Sequence, residues 1–420
     1  MLTDFLMKNN CIEFISLPQK TKHILESLYN DIDECAKYIN KHKSRISFYD
    51  LKIHKITNAS DIPKPVVLKD GMTKEVESHI DKHAYTFLKY NLTLLDFPLL
   101  KRNITIYFII EKKDVDIQLD FEPDLKKFHD YVDKVLLLYL LLGKHSNVEC
   151  SPDLSVYLYF TSLKKMLSTK NEVLNYNHVN TGFTYTCPST NGEIVIFRKE
   201  EWFKVLIHES FHNLHLDFSG MNNERCVKMM HSVFNVPSNV NLFESYTEIW
   251  AKILNVLIFS YKMTPNKKTN HKKEIFYKYC EFLLNYERSH CFFQMAKVLD
   301  YHGFTYEEVL NKSEKIKLYR ENTNVFTYYV ITTILLNFLP DFFNWCFQHN
   351  KKNTILQFMH TDETLVSFCN LIEEKYKVNN FIENVNCSNK LFHEIKEKRS
   401  TNKKTEYILN NLRLALLETV

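Results

Sequence analysis

Residues 191–216, NGEIVIFRKEEWFKVLIHESFHNLHL, set a short strand pattern directly ahead of a helix pattern. GEIVIF alternates around a β-branched core, as a half-buried strand does. In the following stretch, 198–216, Phe203, Leu206, Ile207, Phe211 and Leu214 recur at the spacing of one helical face. A helix with such a stripe must lie against something apolar, and the strand before it supplies a sheet. Glu200 and Glu201 are expected in the first turn of this helix, where carboxylates suit the helix dipole, and Gly220 lies in the loop after it.

Within that helix stands His208-Glu209-Ser210-Phe211-His212, an HExxH pattern. Four residues apart on a helix, His208 and His212 project from one face, where both imidazoles can reach a single metal ion. Glu209 is placed to take a proton from water, which is the carboxylate's task in metal-assisted hydrolysis. The chain has 18 histidines, so two ordinary histidines on a partly buried helix is the bland alternative. A third ligand decides the kind of site. From the turn directly after the helix it would be a His or Asp at position 218, with Gly at 215; those positions hold Phe218 and His215, and Asp217 is out of register. A second helix pattern, NLFESYTEIWAKILNVLIFSY (241–261), offers Glu244 and Glu248, four apart on one face. Glu244 would complete a His2Glu site with one open position, and Glu248 could accept the other ring N–H of a ligating histidine. Without the HExxH the pair would read as a solvated acidic stripe.

HESFH followed by ESYTE resembles the zincin metallopeptidases of the gluzincin type, with HExxH on one helix and ExxxD or ExxxE on the next. The resemblance implies one zinc ion held by His208, His212 and Glu244, with Glu248 supporting a histidine and Glu209 as general base. The intervening NNERCVKMMHSVFNVPSN makes the gap between motifs longer than in the compact members. The string HVNTGFTY…GEIVIFRKEEWFKVLIHESFHNLHLDFS, continuing through FESYTEIWA to YRENTNVFTYY, is similar to zincin-like proteins of large DNA viruses that infect eukaryotes. It implies a viral gene product with a peptidase fold, and it names no substrate.

The expected fold is α+β: a zincin-like core, with a small mixed sheet over the HExxH helix and mainly helical N- and C-terminal parts. The expected boundaries are 1–95, 96–261 and 262–420. Residues 18–42 and 73–90 read as helices, with the Pro-containing DIPKPVVLKDG between them. NITIYFII (103–110) and LSVYLYF (154–160) read as strands, and EPDLKKFHDYVDKVLLLYLLL (122–142) as a long helix. HVNTGFTYTC (178–187) and GEIVIF are expected to form a hairpin. Asn180, Thr181, Gly182, Phe183 and Thr184 are then a candidate edge to which an extended peptide substrate could add, with Gly182 permitting close backbone approach; an internal strand without substrate contact is the alternative. Beyond 262 the pattern is mostly helical, with a lysine-rich connection (263–274) and a charged amphipathic end from 391 on. Tyr328 and Tyr329 are candidate hydrogen-bond donors to a developing oxyanion. Glu321 and His178 could approach the cleft, and Tyr246 reads as structural.

Other classes find little support. Six glycines against ten prolines leave no phosphate-cradling loop and no dinucleotide fingerprint. A net charge of +4, with basic and acidic residues interspersed, gives no nucleic-acid track. The ten scattered cysteines form no CxxC pair, and the N-terminus shows no secretion signal, so free thiols in host cytoplasm or a virion are expected. VLLLYLLLG is too short to span a bilayer and YYVITTILLNFLPDFFNWCF is interrupted by Asn337, Pro340 and Asp341, so both are expected as buried helices. The partners implied are a peptide or protein substrate and a virion or host protein. A zincin-shaped viral protein that no longer cuts, or a metal-free helical scaffold, are the competing readings.

Overall fold

The computed structural model describes residues 2–43, 49–115, 123–168, 172–265, 271–352, 354–398 and 402–418. Parts of three sequence expectations lie outside them: Glu122 at the start of the long helix, residues 266–270 of the lysine-rich connection, and 399–401 and 419–420 in the charged end. The architecture is α+β, a mixed sheet flanked by helices with mostly helical terminal parts. The chain divides into two compact units.

One unit, 27–164 with 181–216, contains the sheet. Its strands are β1 (Asp50–Lys55), β2 (Ala84–Leu92), β3 (Asn103–Glu111), β4 (Asp153–Phe160), β5 (Gly182–Thr184) and β6 (Gly192–Ile196), in the order β1-β2-β3-β4-β6-β5. β3, β4 and β6 run parallel; β1, β2 and the far edge strand β5 are antiparallel to their neighbours. The parallel strands are nearly continuous apolar runs because both faces are covered. On one face Phe108 and Phe160 meet Phe128 and Tyr131 of the helix Leu125–Gly143, and Trp202 of the HExxH helix, with ring centroids 5.0–6.4 Å apart. On the other, Ile109, Tyr157, Tyr159, Val195 and Phe197 pack against Val76 and Ile80 of the helix Lys74–His83.

Residues 84–90, expected as the end of a helix, belong to β2. The helix stops at His83, and Thr86, Leu88, Tyr90 and Leu92 turn inward with the period of two that a strand imposes. β1 carries no apolar period because it lies at the sheet edge with five of its six residues exposed. The Pro-containing stretch is fastened to the sheet by Glu193, whose carboxylate accepts the backbone N–H groups of Val66, Val67 and Leu68 at 2.7–2.9 Å.

The other unit, 1–26 with 165–180 and 217–420, is helical. Its centre is the helix Leu242–Met263, packed on Lys272–Tyr301 and on the segment from Thr327 to Asn337. That segment opens as a π-helix, Thr327–Ile331, in which the N–H of Thr332 reaches back to the Thr327 carbonyl. Among the described residues no single helix is long and apolar enough to cross a membrane; Thr327–Asn337 and Leu339–His349 pass that test together, but are bent by 90° and largely buried.

The free-thiol expectation needs correction. Cys11–Cys387, Cys150–Cys187 and Cys226–Cys369 are disulfides, each within one unit, while Cys35, Cys280, Cys291 and Cys346 are free and buried. Pairs separated by 37 to 376 residues leave no spacing signature for a sequence reading to catch.

Candidate metal centre

The HExxH helix spans Trp202–Asn213, and every residue in it is buried. Glu200 and Glu201 were expected in its first turn but precede it: Glu201 is the N-cap in a left-handed conformation (φ 59°), and Glu200 faces Lys164 at 3.4 Å. Three contacts fix the helix. Ser210 shares a 2.9 Å hydrogen bond with the hydroxyl of Tyr139, which holds its back to the helix beneath the sheet. At its end the Asn213 side chain donates to Thr184 Oγ1 of β5 at 3.1 Å, and the Asn213 carbonyl accepts the Cys187 N–H at 3.1 Å. The chain then turns through His215 in the left-handed region (φ 55°), so a non-glycine residue does occupy the sharp turn.

His208 and His212 lie side by side, with Nε2 to Nε2 at 3.2 Å. Two ligands each about 2.0–2.1 Å from a tetrahedral ion stand about 3.3 Å apart, so this spacing suits zinc. Glu209, between them in sequence, is 7% exposed. Its Cγ lies where β5 approaches most closely: a Cβ added to Gly182 would stand 3.2 Å from it, 3.0 Å from Val205 Cγ1 and 2.9 Å from the Val195 carbonyl oxygen. The lack of a side chain at Gly182 thus lets the edge strand lie on the HExxH helix itself. Of the candidate edge, Gly182 and Thr184 meet that helix, and Phe183 packs with Phe197 on the opposite face, as alternation requires. Thr181 is buried, its carbonyl taking the Phe197 N–H, and Asn180 accepts from Thr323 at 2.8 Å.

Glu244 sits in the first turn of Leu242–Met263, where the helix dipole favours a carboxylate. Asn324 Nδ2 donates to its Oε1 at 3.0 Å and Tyr328 Oη donates to its Oε2 at 2.8 Å. His208, His212 and Glu244 each offer one ligand atom, and these atoms all lie within 4.8 Å of one another. This His/His/Glu cluster has the geometry of a zincin-like metal site and is compatible with Zn2+, whose preferred donors are imidazole and carboxylate.

The remaining candidates have these partners. Asp217 binds the hydroxyls of Thr247 and Ser219, at 3.2 and 3.0 Å. Glu248 is fully buried, 3.6 Å from Lys252 Nζ. Tyr329, next to Tyr328, donates to the Leu412 carbonyl at 2.6 Å. His178 closes a local cap with the Asn175 N–H, and Tyr246 donates to the Leu356 carbonyl in the core. Glu321 is half-buried and accepts from Ser238, the Tyr319 hydroxyl and the Phe326 N–H; desolvation pushes its carboxyl up from the usual range. Asn324 escaped the sequence reading, and its place between Glu321 and Tyr328 was the only hint.

Fold and cluster together define an α+β protein with a His/His/Glu cluster geometrically consistent with a zincin-like metal site. Comparison with models of known families, with curated proteins and with solved structures finds no match to this chain.

Proposed function

We propose that this protein is a zinc-dependent hydrolase of peptide bonds, on the strength of one observation: ligand atoms of His208, His212 and Glu244 gather within 4.8 Å on helices distant in sequence. A zinc ion there would supply a Lewis acid able to polarise a carbonyl and lower the pKa of water. Glu209 takes the proton of the attacking water and returns it to the leaving amine. An extended substrate lies along β5, the end strand of the sheet, through its own backbone N–H and C=O groups. Glu248 orients a ligating histidine by accepting its second ring N–H. Tyr328 gives its hydroxyl proton to Glu244 and Tyr329 gives its own to the Leu412 carbonyl, so this reading assigns the oxyanion to the zinc ion and to neither tyrosine.

The same reading assigns the chain to the zincin-like proteins of large eukaryotic DNA viruses, on the strings quoted above. Its substrate is then a peptide or protein, and its other partner a virion or host protein. Of the two settings named, the disulfides favour the virion, because such bonds persist on virion surfaces and are rare in cytosol.

Elemental analysis of purified protein tests the metal: one zinc per chain is expected, lost in His212→Ala. Glu209→Gln should retain the zinc and lower turnover of a cleavable peptide about 10²–10⁴-fold. An unchanged rate would remove Glu209 as base, whereas zinc-loaded wild type without turnover would leave a metal-binding structural protein.

A further inference from the structure

The segment Tyr319–Tyr329 carries two donors that converge on one metal-ligand candidate, and neither belongs to the HExxH or ExxxE pattern. A glutamate's last torsion joins sp³ to sp² carbon, so its preference is broad and the carboxylate plane swings easily. At Glu244 both oxygens are engaged, Oε1 by Asn324 and Oε2 by Tyr328. Donors on both oxygens fix that plane.

The donors are themselves fixed. Asn324 Oδ1 accepts the side-chain N–H of Asn241 at 2.8 Å, so its amide group is oriented with Nδ2 toward Glu244. Asn241 is the N-cap of the Glu244 helix, and its carbonyl takes the Glu244 N–H at 3.1 Å. The loop bearing Asn324 is wrapped around the Glu321 carboxylate, which gathers Ser238, Tyr319 and Phe326. Tyr328 is held by the π-helix and by the apolar cluster it shares with Leu174, Val179, Val298 and Val325.

We propose that Asn324 and Tyr328 are positioning residues that hold the Glu244 carboxylate for coordination through a single oxygen, and so favour zinc over cations that demand two. Four-coordinate zinc takes one donor atom from each ligand, whereas Ca²⁺ gathers 6–8 oxygens and readily uses both of a carboxylate. The inference rests on the metal reading above and extends it to residues outside the motifs. It concerns Glu244 and the segment around it, all within the helical unit.

The test is zinc affinity by competition with a chromogenic chelator, together with the visible spectrum of the Co²⁺-substituted protein, which reports coordination geometry. Wild type, His212→Ala, Asn324→Ala, Tyr328→Phe and Tyr329→Phe are compared. Tyr328→Phe removes one oxygen and keeps the ring in its pocket, so it remains informative even where Asn324→Ala loosens the loop. The expected result is a 10–100-fold weaker zinc affinity and an altered cobalt spectrum in the Asn324 and Tyr328 variants, with Tyr329→Phe at wild-type values. Affinities and spectra unchanged in both variants overturn the clamp while leaving the metal site standing. An equal fall in Tyr329→Phe overturns it too, because general loosening would then account for the loss. Wild type without zinc overturns the metal reading itself, and the clamp with it.

Discussion

Gly182→Ala probes how closely β5 must lie on the HExxH helix. The added methyl would stand 3.0 Å from Val205 Cγ1, about half an ångström inside the 3.5–4.0 Å optimum for carbon pairs. It would also stand 2.9 Å from the Val195 carbonyl oxygen, a backbone atom of the partner strand that cannot rotate away. Overpacking of this kind costs about 1–3 kcal/mol. Gly182 is not among the residues with positive φ, so alanine suits the backbone and recovers about 0.4–1 kcal/mol through the unfolded chain. The clash with a fixed backbone atom wins, with a net loss of up to about 2.6 kcal/mol. For a folding unit of this size that lowers Tm by up to roughly 10 °C. The third contact, 3.2 Å to Glu209 Cγ, adds a functional effect. A few tenths of an ångström at the base should lower kcat about tenfold, given the ~10²-fold penalty for a 1 Å misplacement. Thermal melting and initial rates on a cleavable peptide read the two effects separately. A variant as stable as wild type, with an undiminished rate, would refute the close packing of strand and helix.

Glu244→Ala should weaken zinc binding more than Glu248→Ala, measured by the same competition; equal or reversed losses would mean that the wrong carboxylate has been assigned. Serine at both Cys150 and Cys187 opens a cross-link spanning 37 residues, worth roughly 4 kcal/mol in chain entropy, so unfolding midpoints in denaturant should fall accordingly, and wild type with reductant, which opens the other two cross-links as well, should fall at least as far. Burial pushes the His302 imidazole down to about 4, below its unfolded value of 6.5. The unfolded chain therefore takes up a proton that the native state refuses between those values, and stability falls as pH drops from 6.5 to 4, by up to about 3 kcal/mol from this group. His302→Gln should flatten that part of the pH–stability curve, and an unchanged slope would show that His302 is not its source.

How much of this was legible follows from which signals were local. The HExxH helix and the strands β3, β4 and β6 could be read because a covered sheet and a core-facing helix leave apolar runs and stripes in the sequence. β2 was hidden by Lys89 and Asn91 on its outward face and by the helix Lys74–His83 running straight into it. Glu200 and Glu201 were placed in the first turn although both precede it, because the helix begins after a left-handed residue, which spacing does not announce. At the metal centre, His208 and His212 are one turn apart and visible as a pair. Glu244 was reached only by matching a second amphipathic pattern. Asn324 contributes through a hydrogen bond 80 residues away in sequence, and no periodicity points to it. Tyr328 and Tyr329 were indistinguishable as neighbours, since an ordinary helical phase does not apply across Thr327–Ile331.

That π-helix can be regarded as an α-helix that has absorbed one surplus residue. Each residue of an α-helix advances the side chains by about 100°, so the surplus sets the angular offset between what precedes it and everything that follows. A sister chain one residue shorter between Asn324 and Thr332 would keep the same apolar core helix and the same tyrosine pair in its alignment. It would aim them elsewhere, however, and Glu244 would lose its phenol. The length of this segment, more than its composition, is therefore the character by which relatives that keep this carboxylate contact can be told from those that have dropped it.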